Sequence, residues 1–152
     1  MENTNEMIAY CGLYCGECPN HTGRIADLAR DLRKELRTFR FEKTAETLSK
    51  LSFFSMFKDY EQCYGVLGCM VKLRCKNGCR NGGGNPYCKI RKCCQKKKIE
   101  GCWLCIEFTK CNKLDELNAN HGIAHIKNLR IIEKNGVDGF HDSKKHWYVK
   151  PK

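Results

Sequence analysis

Ten of the 13 cysteines in this 152-residue chain fall into four tight groups. Cys11-x3-Cys15-x2-Cys18 comes first. Cys75-x3-Cys79 and Cys88-x4-Cys93 follow, and Cys102-x2-Cys105-x5-Cys111 closes the series. Gaps this short let a turn present two sulfurs to one ion while its backbone amides point at them, and two such knuckles complete a tetrahedral shell. One pair would carry little weight, but four groups in one short chain point to metal. Zinc in closed thiolate sites, about two ions, is the leading expectation. An iron–sulfur cluster is the alternative, because the same thiolates suit either. Ten sulfurs exceed what two four-thiolate sites need, so some are spare, bridging or part of a third site, and spacing alone does not divide them.

Other chemistry at these residues is less well supported. Cys63, Cys69 and Cys94 stand outside the spacing and read as small buried apolar residues. The spacing of Cys11, Cys15 and Cys18 is that used by radical S-adenosylmethionine enzymes, but the chain is short for their barrel and no strand–helix alternation follows. Cys102-x2-Cys105-x15-His121-x3-His125 fits a loose zinc-finger spacing, with the two histidines one helical turn apart. Cys111 intrudes there as a better-placed thiolate. A cysteine beside Lys96, Lys97 and Lys98 could be a low-pKa nucleophile, yet no Cys–His–acid grouping supports it. His21, His141 and His146 read as surface groups. Without an acid–base pair, binding is expected over catalysis.

Composition points the same way. The apolar fraction is 41%, but it falls to about a third once cysteine is set aside, and mean hydropathy is −0.59. That is thin for a domain held by burial alone. Closed thiolate zinc sites contribute about 10–16 kcal/mol of apparent binding energy in small peptides, comparable with the roughly 5–15 kcal/mol stability of a domain. No run approaches about 18 apolar residues, so no membrane-spanning helix is expected. The opening MENTNEMIAYCGLYCGEC is acidic and has no apolar h-region. A cytoplasmic location is therefore expected, where disulfides are rare and paired cysteines bind metal.

The net charge of +11 is uneven. Residues 1–69 carry −1, residues 70–110 carry +9 and residues 111–152 carry +3. The basic middle segment holds seven cysteines, Cys75 to Cys105. Lys and Arg there can compensate thiolate sites that each carry net negative charge. A nucleic-acid surface is the competing reading, although only Tyr87 and Trp103 are at hand for base stacking.

The elements that must position these groups read as mainly α. A small single domain (1–152) is expected, with an irregular, metal-stabilised, zinc-knuckle-like cysteine-rich segment and few or no short strands. Residues 22–58 are predicted helical in two pieces. In 22–40 the face is Ile25, Leu28, Ala29, Leu32, Leu36 and Phe39, with Thr22 as N-cap. In 44–58 it is Ala45, Leu48, Leu51 and Phe54, and the phenylalanines suggest deep burial. Residues 62–111 show no lasting periodicity, and Gly82-Gly83-Gly84-Asn85-Pro86 makes a loop. Residues 112–136 are predicted helical again and broken near Gly122, with Asp115 and Glu116 in a first turn. Ile123, Ile126, Leu129 and Ile132 share a face, and Gly136 is the stop. The tail, 141–152, reads as a loose or edge segment.

IAYCGLYCGECPN, CKNGCRNGGGNPYCKIRKCC, CWLCIEFTKCNKL and the closing IIEKNGVDGF together resemble the prokaryotic cysteine-rich domain-of-unknown-function family 3795. The resemblance spans nearly the whole chain. Carried over, it points to Cys11, Cys15, Cys18, Cys75, Cys79, Cys88, Cys93, Cys102, Cys105 and Cys111. Thr109-Lys110 stands where that family tends to have an aromatic–proline step. The resemblance strengthens metal binding and adds no reaction. The expected role is a structural zinc module that binds or adapts another molecule, with a protein partner in view. Iron–sulfur redox or electron transfer is one alternative, and nucleic-acid binding through residues 70–110 is the other.

Overall fold

Cysteine and glycine punctuate much of the chain, and several of its helices are single turns beside three longer ones. The computed structural model describes residues 4–151; Met1 to Asn3 and the last residue of the expected tail, Lys152, lie outside the described residues. Among the described residues eight α-helices follow in order: α1 Pro19–Thr22, α2 Arg24–Thr38, α3 Phe41–Leu48, α4 Tyr60–Lys72, α5 Lys89–Lys97, α6 Asn112–Asp115, α7 Asn118–His121 and α8 Ala124–His141. Shorter 3-10 segments lie at Cys15–Glu17, Ser52–Asp59, Cys102–Leu104 and Phe108–Lys110. Among the described residues the only β-pairings are two isolated bridges, Ile8 with Tyr14 and Gly122 with Val149. The protein is mainly α, as its sequence implies.

The contacts resolve into two units. The first comprises residues 1–22 and 75–152, and all ten candidate ligands belong to it. Its core joins Ile8, Ile90, Trp103, Phe108, Leu114, Leu129, Ile132 and Phe140 to two sulfur residues, Cys94 and Cys102. α8 contributes Leu129, Ile132 and Phe140 to it. Gly136, at φ +73° and outside helical geometry, ends the first helical stretch of α8 as expected, and a second stretch runs beyond it to His141. The resumed turn inserts Phe140, which meets the Tyr14 ring edge-on at 6.4 Å.

A break near Gly122 does occur. There φ is +56°, and a Cβ would fall 1.9 Å from the Val149 carbonyl oxygen. Glycine thus admits the tail: Ile123 N–H donates to Val149 O at 2.9 Å, and Val149 N–H donates to His121 O at 3.1 Å.

The second unit spans residues 23–74 and holds α2, α3 and α4. It departs from the predicted faces. Thr22 ends α1, and Gly23, in the left-handed region, precedes α2 in the N-cap position expected of Thr22. α2 packs on α4 through a narrow seam of small residues, Ala26 and Ala29, both buried. Arg33 extends that seam, with its guanidinium 4.4 Å from the Tyr64 ring. Of the expected stripe, Ala29 is buried and Leu36 half-buried, while Ile25, Leu28, Leu32 and Phe39 are exposed. The close approach of α4 accommodates small side chains in the seam and leaves the large ones on its flanks.

Residues 44–58 are not one helix: α3 ends at Leu48 and a 3-10 segment begins at Ser52. Of its phenylalanines, Phe53 is 77% exposed and Phe54 is 40% exposed, against the burial expected of them. Phe41, Phe57 and Tyr60 instead form a local ring cluster, with the Phe41 centroid 5.8 Å from each of the other two. Residues 62–111 are also less irregular than their punctuation implies, since α4 and α5 occupy much of them.

Candidate metal centre

Two of the knuckles are built by the same local device. A 3-10 turn lets the amide of one cysteine bond back to the carbonyl of another: Cys18 N–H to Cys15 O at 3.0 Å, and Cys105 N–H to Cys102 O at 3.0 Å. The knuckles are then tied across long sequence gaps. Cys75 N–H donates to Asn20 O at 2.8 Å, just beyond the first knuckle. Cys102 N–H donates to Tyr10 O at 2.8 Å, just before it. Cys88 caps α5, and its sulfur accepts from Arg91 N–H at 3.5 Å.

The Gly-rich loop folds back over the second knuckle. Gly83 N–H donates to Gly78 O at 2.7 Å, and a Cβ at Gly83 would meet Cys75 Sγ at 2.6 Å. A larger residue there would displace the sulfur. This loop is fixed by Arg91, a buried side chain on α5. Its guanidinium donates to the carbonyls of Cys79 at 3.0 Å, Gly83 at 2.8 Å and Asn85 at 2.8 Å.

The sulfurs fall into two neighbourhoods with a link between them. Around Cys15 stand Cys79, Cys18 and Cys75. Burial pushes the Cys15 thiol up, and those three thiols push it further, against the Cys79 backbone amide that faces it. Five cysteines, Cys93, Cys94, Cys102, Cys105 and Cys111, line one cavity of about 640 Å³ with Ile90, Ile99, Phe108 and Leu114. Cys11 links the two: burial raises its thiol to about 12, with Cys79 and Cys88 as neighbours. Cys11 in turn acts on Cys102. Burial also raises Cys79, opposed by the Tyr10 amide and by Arg91.

In the cavity wall, Cys94 Sγ and Cys102 Sγ are 3.6 Å apart. Cys102 keeps its proton, raised by its hydrogen bond to Cys94 and by burial. Cys94 is lowered, chiefly by that bond and then by the charges of Arg80 and Lys97. Lys97 Nζ lies 3.3 Å from Cys105 Sγ.

The donor chemistry fits a thiophilic ion. Burial holds Cys11, Cys15 and Cys79 as thiols, and the same desolvation would let a divalent charge act on them almost unscreened, favouring thiolates. Among the described residues, no three Cys, His, Asp or Glu side chains already stand as the ligands of one ion. Ligation therefore requires side-chain rotation within each neighbourhood.

All ten sequence-derived ligands lie in the first unit, and all adjoin one of these neighbourhoods or the Cys11–Cys88 link. Cys94, which the spacing makes an apolar filler, is 1% exposed and shares the cavity with Cys102. Cys63 and Cys69 are exposed on α4, in the second unit, where the sequence implies burial.

The histidines part company. His121 Nδ1 bonds to Trp147 O at 2.9 Å, and its ring meets the Trp147 ring edge-on at 4.6 Å. His125 is wholly buried on α8, and both ring nitrogens lack a hydrogen-bond partner. Neither lines the cavity that holds Cys102 and Cys105. His21, expected at the surface, has a buried and unpaired Nδ1. Its place three residues after Cys18 is the one sequence signal that marks it. No comparable signal marks Arg91 or Lys97, which read as members of a basic run.

Arg91 and Arg80 are the members of the basic segment drawn inward, while its lysines stay exposed. Arg91 holds the loop, and Arg80 Nε donates to Ile8 O at 2.8 Å beside the Tyr10 and Trp103 rings. Lys89 pairs with Glu116, and Lys97 serves Cys105.

These features define a small, mainly helical, cysteine-rich protein whose knuckles are braced against one another. The family described as "Protein of unknown function (DUF3795)" matches residues 7–116, and the chain belongs to it. That span contains every candidate ligand. Neither the curated proteins nor the solved structures contain a match.

Proposed function

We propose that the protein binds metal through thiolates from its four knuckles, with zinc in structural sites, and that the ordered surface serves as a binding or adaptor module. One observation carries the reading: knuckles distant in sequence are joined by direct backbone bonds, Cys75 to Asn20 and Cys102 to Tyr10. Buried thiols gathered without disulfide bonds are a poor use of core volume unless a cation joins them. The buried Arg91 guanidinium and the Lys97 ammonium beside Cys105 suit sites that turn anionic on loading. Zinc there would supply charge and a tetrahedral anchor. The chain supplies the sulfurs, the amides that face them, and the Arg91 clamp on the loop between Cys79 and Cys88.

The test is anaerobic purification followed by elemental analysis and chelation. Colourless protein with about two or more zinc ions, losing helical signal and opening its thiols when chelated, is the expected result. A well-folded protein without metal, all of whose thiols react without loss of structure, overturns the reading. The cavity favours a second reading for its own five cysteines. At about 640 Å³ it is larger than one ion needs, so an iron–sulfur cluster is the alternative occupant. Brown protein with a visible charge-transfer band would select it over zinc.

A further inference from the structure

We propose that His21 binds, through Nδ1, the same metal ion as Cys15, Cys18 and Cys75, making a three-thiolate, one-imidazole site. The inference rests on the metal-binding reading above and deepens it by naming one site's ligands, including one that is not a cysteine.

Three independent observations converge on this side chain. First, Nδ1 is buried and has no hydrogen-bond partner. Buried polar atoms are nearly always paired, and leaving one unpaired costs about 1–3 kcal/mol. A metal ion satisfies a neutral imidazole nitrogen that nothing else reaches.

Second, the backbone repeats the knuckle. Cys18 N–H bonds to Cys15 O at 3.0 Å, and His21 N–H bonds to Cys18 O at 3.0 Å. The spacing Cys15-x2-Cys18-x2-His21 thus sets three donors on two consecutive turns. The fourth ligand is delivered beside them, because Cys75 N–H bonds to the carbonyl of Asn20, the residue before His21.

Third, both side chains border Gly78. A point one Cβ out from Gly78 lies 3.9 Å from Cys15 Sγ and 4.0 Å from His21 Cε1. Cε1 is bonded to Nδ1, so the orphan nitrogen and that sulfur flank the same glycine, and side-chain rotation would bring both onto one ion.

Cys79 is the competing fourth thiolate and lies beside Cys15, which its backbone amide faces, but a second set of groups also surrounds it. It is flanked by Cys88 and Arg91, and Cys11 lies near it. His125, the other histidine with orphan nitrogens, has His121 and Asp115 as its charged neighbours, with no sulfur among them. The assignment gives His21 a reason for its burial and releases Cys79 to Cys11 and Cys88. A loaded site of three thiolates and one imidazole carries a single net negative charge, where a four-thiolate site carries two.

The experiment uses the full zinc-loaded chain. Two-dimensional nitrogen NMR of the histidine rings reads the His21 tautomer directly. Metal-bound Nδ1 with the proton on Nε2 is expected, reverting when zinc is chelated. In parallel, competition with a metallochromic chelator compares wild type, His21→Ala, His21→Cys and Cys79→Ser. His21→Ala should weaken one zinc equivalent by more than roughly 100-fold, beyond the range for loss of an outer-shell partner.

His21→Cys should restore that equivalent and shift its cobalt-substituted spectrum toward four-sulfur ligation, which a destabilised fold would not do. Cys79→Ser should leave this equivalent in place. A zinc-loaded wild type whose His21 tautomer ignores chelation, or a His21→Ala protein with unchanged affinity and cobalt spectrum, overturns the proposal while leaving the thiolate reading standing. A wild type that holds no metal overturns both.

Discussion

Replacing Arg91 by methionine isolates what one buried cation does for the loop that carries Cys79 and precedes Cys88. The guanidinium is on a side chain only 7% exposed and donates three hydrogen bonds, at 2.8 to 3.0 Å, to the carbonyls of Cys79, Gly83 and Asn85. A hydrogen bond from a charged donor is worth about 1.5–3 kcal/mol. Asn85 is exposed and Gly83 half-buried, so water can recover part of two of the three bonds. Methionine keeps most of the stem packing.

The expected net loss is therefore about 2–4 kcal/mol, a large share of a typical domain's roughly 5–15 kcal/mol. Arg91→Lys should recover little of it, since a compact ammonium cannot fork to three separated carbonyls. Urea unfolding gives the loss, and hydrogen exchange locates it. Protection should fall first at Gly83 N–H, whose partner is Gly78 O. The reasoning is refuted if Arg91→Met unfolds within about 0.5 kcal/mol of wild type, the usual range for an unengaged surface change, or if lysine restores full stability.

Three further outcomes are expected. Phe140→Ala removes a fully buried ring from the first unit's core and should cost about 3–5 kcal/mol; a loss below about 1 kcal/mol in urea unfolding would show that the site collapses freely. Gly122→Ala places a Cβ against the Val149 carbonyl at a positive φ; it should cost about 1–3 kcal/mol and release Trp147 from His121, read as a change in tryptophan emission. His125 has its pKa depressed, first by burial and then by His121, with Asp115 and the Leu114 backbone opposing.

As pH falls through the ordinary histidine range near about 6.5, the unfolded chain therefore takes up a proton that folded His125 refuses. Stability is full above that range and declines as pH drops toward the native value. His125→Phe should flatten part of that decline while leaving the contribution of His146, which burial also lowers. An unchanged pH profile in His125→Phe would show that His125 does not drive it.

The sequence by itself determined the helical class and the set of candidate sulfurs. Cysteine spacing is local information: a gap of two or three residues closes a turn wherever it lies, and the turns at Cys15–Glu17 and Cys102–Leu104 form as their spacing implies. Long polar segments without alternation could only be helix or loop, and they are. The break at Gly122 and the burial of Leu129 and Ile132 were legible for the same reason.

Only the tertiary structure decided which knuckle meets which. That choice rests on single backbone bonds across long gaps, such as Cys102 to Tyr10, which leave no periodic trace. It likewise decided which helical faces are covered. The sequence favours the large apolar residues of α2 as its buried face; packing against α4 instead buries Ala26 and Ala29, the latter alone shared with the predicted stripe, and leaves Ile25, Leu28, Leu32 and Phe39 exposed. A basic run looks the same whether it meets solvent, phosphate or carbonyl oxygen. Arg91 becomes a clamp only because the Gly-rich loop returns to within 3.0 Å of it.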